Sequence, residues 1–126
     1  FEEVLNTGCL SAEYIPVDNG VGYHFHMHFG NQTTALRFDS GITNKDDIVR
    51  SLNSLIFPIY EIRFWLDTIG GSTLGFIPLT LKDWNQLEQS FRVDKIHKHF
   101  AKISHDSRMF DLSWHEVFHL IEQRRV

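Results

Sequence analysis

The chain predicts an α+β fold: a mainly antiparallel four-stranded sheet, formed by two hairpins, with helices packed on one face. Three observations carry this expectation. Two pairs of segments alternate apolar and polar residues and are joined by turn residues, around Gly30-Asn31 and Gly70-Gly71. Between and after them, apolar residues recur at helical spacing. The order is hairpin, helix, hairpin, helices, with no repeat or linker, so a single domain over residues 1–126 is expected.

The first twenty residues have no clean period and read as an irregular lead-in with one helical turn or an edge strand. From Val21 to Phe29, Val21, Tyr23, Phe25, Met27 and Phe29 share one face while His24, His26 and His28 share the other. Thr34, Leu36 and Phe38 alternate with Arg37 and Asp39 in the returning strand. Thr43 can cap a helix carrying Ile48, Leu52, Leu55 and Ile56, which Pro58 ends.

The stretch Ile59 to Asp67 is a third strand with Tyr60, Ile62, Phe64 and Leu66 inward and Glu61, Arg63, Trp65 and Asp67 outward. Thr73 to Leu79 follows as a fourth, which Pro78 marks as an edge or an end. Thr80 resembles a helix cap, ahead of Leu81, Trp84, Leu87 and Phe91 at helical intervals. A further stripe is Ile96, Phe100 and Ile103. Ser113 to Glu116 has the form of a capping box, opening a last helix with Trp114, Val117, Phe118 and Ile121 inward. If the helices cover the apolar face of the sheet, the other face is open, polar and rich in histidine.

Sixteen acidic against twelve basic residues give a net charge of -4, without a cationic run. That argues against nucleic acid, whose phosphates need clustered Lys and Arg, and favours a basic partner. Cys9 is the only cysteine, so no internal disulfide forms. Apolar runs are far shorter than the roughly 20 residues of a membrane span, and no signal segment is evident; a cytoplasmic setting is expected.

Two constellations carry candidate chemistry. His115-Glu116-Val117-Phe118-His119 matches H-E-x-x-H, and resembles the active-site helix of the zincin metalloproteases. The resemblance implies His115 and His119 as zinc ligands and Glu116 as the general base. A third ligand would come from His24, His26 or His28, with His26 central in the row. The second constellation is Trp65 among Glu61, Arg63, Asp67 and Asp39, an aromatic anchor ringed by charge as in protein-binding hot spots. Walker, dinucleotide-binding and nucleophile-elbow motifs are absent from the sequence.

Small size, acidity, aromatic richness and an incomplete catalytic set together resemble the immunity proteins of bacterial toxin systems, including contact-dependent growth inhibition. That resemblance implies a non-catalytic inhibitor with no cofactor, which covers a basic toxin domain and so neutralises it. The alternative is a zinc hydrolase built on the last helix. A third option is a ligand pocket between sheet and helices, since Phe is abundant.

Overall fold

The computed structural model describes residues 8–16, 23–38, 44–71, 73–110 and 112–124. In chain order the elements are β1 (Leu10–Pro16), β2 (Tyr23–Phe29), β3 (Gln32–Phe38), α1 (Lys45–Ile56), β4 (Tyr60–Trp65), a 3-10 turn (Leu66–Thr68), β5 (Gly75–Thr80), α2 (Leu81–Phe91), α3 (Val93–His99), β6 (Phe100–Lys102) and α4 (Trp114–Arg124). The α+β class agrees with the sequence. The single four-stranded sheet does not: the strands form two antiparallel three-stranded sheets, ordered β1-β2-β3 and β5-β4-β6.

Each hairpin expected from the alternation is present. β2 and β3 pair from Tyr23↔Phe38 to Phe29↔Gln32, with Gly30 at φ 58 in the turn, a conformation glycine adopts without penalty. β4 and β5 pair from Tyr60↔Thr80 to Trp65↔Gly75, and β5 is an edge strand, where Pro78 costs no ladder hydrogen bond. Each hairpin gains a third strand that local periodicity does not show. β1 joins β2, and the short β6 joins β4 through Arg63↔Lys102, Phe64↔Ala101 and Trp65↔Phe100.

The first helix begins on Asn44, whose side chain accepts the Asp47 N–H at 3.2 Å; Thr43, the expected cap, lies outside the described residues. It ends at Ile56 because Pro58 drives the preceding Phe57 into extended backbone, and the Phe57–Pro58 peptide is cis. α1 is shared between the sheets. Leu52, Leu55 and Ile56 meet Met27 of the first and Ile62 of the second in one core cluster. Val49 faces a second cluster with Phe64, Leu66, Ile69 and Met109. Asp46, buried in the first turn of α1, accepts the N–H groups of Met109 (3.0 Å) and Phe110 (2.8 Å) and so ties down the loop before α4.

Helices lie on both faces of the second sheet, not on one. α1 covers Ile62 and Phe64, while α2 brings Trp84 onto the opposite side, where its indole N–H donates to the Glu61 carbonyl at 2.7 Å. Two expected inward stripes are narrower than the sequence suggests: Phe91 of α2 is exposed, and so are Trp114 and Phe118 of α4, which packs through Val117, Leu120 and Ile121. The stretch after Ile96 leaves the helix at His99, so Phe100 belongs to a strand. No described helix is long and apolar enough to cross a membrane.

One side chain joins α1 to the second sheet. The β4–β6 register ends at Arg63↔Lys102, and the next pair would be Ile62 with Ile103. There the Asn53 carboxamide stands between the strands: its oxygen accepts the buried Ile62 N–H at 2.7 Å, and its nitrogen donates to the Ile103 carbonyl at 3.4 Å. Asn53→Ala strands both groups, and a buried unsatisfied group costs about 1–3 kcal/mol. Denaturant unfolding should show the midpoint falling by a corresponding amount at unchanged slope.

Candidate functional site

The charged residues of β4 do not lie on an open face. Arg63 is 2% exposed and Glu61 8%. A buried guanidinium is tolerable only when neutralised. Arg63 Nε donates to Glu61 Oε1 at 2.6 Å, and Nη2 lies 2.7 Å from Glu88 Oε1 of α2. The second contact has ion-pair distance without hydrogen-bond alignment, because Glu88 Oε1 finds no hydrogen-bond donor, and neither does Arg63 Nη1 an acceptor, among the described residues. The guanidinium carbon sits 4.3 Å from the centroid of the Trp84 ring, a cation–π contact that gives the charge an apolar floor. Glu61 and Arg63, expected among the partner-binding residues, are thus the seam between β4 and α2.

Contact with the Arg63 guanidinium holds the Glu88 carboxyl below its ordinary 4.5, against its burial, with His97 and Lys102 adding to the effect. A depressed carboxyl contributes stability in full above its unfolded pKa and loses it as pH falls through the folded one. The acid limb of the stability curve should therefore start near pH 4.5 and extend below it. Glu88→Gln should flatten that limb and cost about 1–3 kcal/mol at neutral pH, as measured by urea unfolding across pH.

Trp65 closes the same strand in a different way. It remains 39% exposed. Its indole N–H donates to Asp67 Oδ2 at 2.9 Å, and His99 Nδ1 approaches both Asp67 oxygens at 3.1 Å. The Trp65 carbonyl accepts from the Thr68 hydroxyl at 2.6 Å, and that hydroxyl accepts the Gly75 N–H at 2.9 Å. Gly75 lies opposite Trp65 in the register, and a Cβ there would meet Trp65 Cε3 and Thr68 Cγ2 at 3.0 Å each. The glycine thus leaves the shelf on which the indole lies. Gly75→Ala should push the ring off it, costing about 1–3 kcal/mol as overpacking does, with a change in near-UV circular dichroism.

The indole, the half-exposed Asp67 carboxylate and the His99 imidazole make one preorganised surface at the end of β4. Of the sequence-nominated charges, Asp67 alone stands beside Trp65 at this surface; Asp39 lies outside the described residues. His99 escaped sequence reasoning, because it sits at the end of a helix thirty-two positions from Asp67.

The H-E-x-x-H pattern does lie on one helix, α4, with His115 and His119 exposed. Glu116 is engaged locally: its backbone N–H donates to Ser113 Oγ at 3.2 Å, and its Oε1 accepts from Ser113 Oγ at 3.2 Å and from Arg108 Nη1 at 3.1 Å. Its position is that of a capping residue. His24, His26 and His28 line one face of β2, with ring centroids 6.0 and 6.5 Å apart in sequence order. Their polar partners are on neighbouring strands: Glu13 Oε1 lies 3.1 Å from His28 Nε2 and 3.9 Å from His26 Nδ1, and Thr33 Oγ1 lies 2.9 Å from His28 Nδ1. Among the described residues no three His, Cys, Asp or Glu side chains are grouped so as to hold a metal ion, and His26 does not join His115 and His119 in such a group.

No protein-family model matches the chain, and neither does any curated protein or solved structure with which it was compared.

Proposed function

We propose that the chain is a non-catalytic protein-binding module, an immunity-type inhibitor that neutralises a bacterial toxin by covering a basic domain of it. The observation that carries the reading is Trp65: a large aromatic side chain left exposed at the end of a strand otherwise buried, with its ring fixed by Asp67 and Gly75. An anchor held in place before binding loses little side-chain entropy on association. The adjoining Asp67 carboxylate and the net charge of -4 suit a cationic partner, with rim charges acting mainly on the rate of encounter. Trp114 and Phe118 of α4, 75% and 59% exposed with ring centroids 6.1 Å apart, add a second exposed aromatic surface.

The test is to search the genes flanking this protein's own for one encoding a basic toxin domain, whose absence counts against the reading, and to titrate that domain calorimetrically. Binding is expected, and Trp65→Ala should weaken it by at least about 2 kcal/mol, roughly 30-fold, in a variant that remains folded by far-UV circular dichroism at the assay temperature. Raising the salt concentration should slow association more than it speeds dissociation. Absence of binding by the wild-type protein would refute the reading, and equal affinity of the variant would remove Trp65 from it.

A further inference from the structure

Arg63 shows how this chain holds a guanidinium. The cation lies over the ring of Trp84, 4.3 Å from the centroid, while Glu61, two residues away on the same strand, accepts from its Nε at 2.6 Å. The aromatic face attracts the cation through the negative charge above the ring, and the carboxylate supplies the countercharge and the hydrogen-bond acceptor. Both parts recur at the solvent end of β4, in Trp65 and Asp67.

The indole of Trp65 covers Gly75, its partner in the register, as an aromatic side chain covers a glycine on a neighbouring strand. One ring face therefore lies against backbone, and the exposure of the side chain belongs to the other face and the outer edge. The indole N–H donates to Asp67 Oδ2 at 2.9 Å, which fixes the carboxylate at the rim of the ring. His99 Nδ1, 3.1 Å from both carboxylate oxygens, holds its orientation, and the Asp67 side chain remains 33% exposed. An aromatic face and a countercharge are thus presented to solvent side by side.

We infer that the Trp65–Asp67 surface is a guanidinium site, which takes an arginine side chain of the protein partner, stacked on the indole and paired with the carboxylate. The inference rests on the protein-binding reading for the source of that arginine. A planar, weakly hydrated guanidinium lies flat on a ring while its N–H groups reach a carboxylate at the edge. The ammonium of lysine is a compact, strongly hydrated charge and meets only one of the two well. The site therefore selects arginine over lysine.

The probe is a blocked tripeptide with arginine between two glycines, titrated at constant ionic strength and followed by NMR on the indole N–H signals of Trp65, Trp84 and Trp114. Trp84 is buried and Trp114 exposed, so they report structural change and non-specific stacking. A saturable shift at Trp65 is expected, with affinity roughly fivefold or more above that of the same peptide carrying lysine or citrulline. Asp67→Asn keeps an oxygen for the indole N–H but removes the charge, and should abolish the preference for arginine over citrulline. A Trp65 response no greater than that of Trp114, equal binding of the citrulline peptide, or an unchanged preference in the folded variant would each overturn the inference. If the variant fails to fold, the three peptides on the wild-type protein decide alone. No toxin domain takes part, so the two readings separate: a silent arginine peptide beside tight toxin binding overturns this inference only. A selective peptide beside absent toxin binding refutes the toxin reading and upholds the guanidinium site.

Discussion

The carboxamide of Asn53 is the contact on which the arrangement of the chain turns. α1 is the element that meets both sheets, and Asn53 is where it joins the second, entering the ladder between Ile62 and Ile103 as β6 diverges from β4. A strand that loses its neighbour exposes unpaired backbone groups, which are costly away from water. The side chain supplies both missing partners, so the sheet can end inside the protein. The same anchoring sets Leu52, Leu55 and Ile56 against Met27 and Ile62, and makes one core from two sheets.

Burial of β4 on both faces follows, and with it the role of Arg63. Placed under α2, the guanidinium needs two carboxylates and an aromatic floor, which Glu61, Glu88 and Trp84 provide from two elements. Replacing such a cluster by apolar residues can be neutral for stability, whereas removing one member is costly, so it serves better as a lock on register than as a source of stability. Beyond Arg63 the strand emerges, and Trp65 is the side chain that reaches solvent. Its rigidity as an anchor is inherited from the buried strand behind it.

The hairpins, the helix caps at Thr80 and Ser113 and the inward row of β2 were legible, because each rests on contacts within a few residues. What was not legible is pairing at a distance. Phe100 lies at helical spacing from Ile96 and Ile103, and only its partner Trp65 reveals it as a strand residue. Alternation of Glu61 and Arg63 with Ile62 and Phe64 reads as a half-buried strand, since Glu88, which makes the charge tolerable, lies on another element. In α4 the apolar residues exceed what one packed stripe can use, and periodicity does not say which of them, here Trp114 and Phe118, face outward. Ser113 and Arg108 give Glu116 a structural role that the five-residue motif conceals.

The most direct test of this account is native-state hydrogen exchange at the Ile62 amide. That N–H has no backbone acceptor and is held by a side chain from α1, so the account predicts exchange only through global unfolding, at the free energy measured by denaturant. Exchange as fast as at the exposed edge strand β1 would mean that α1 does not close the second sheet, and would contradict it.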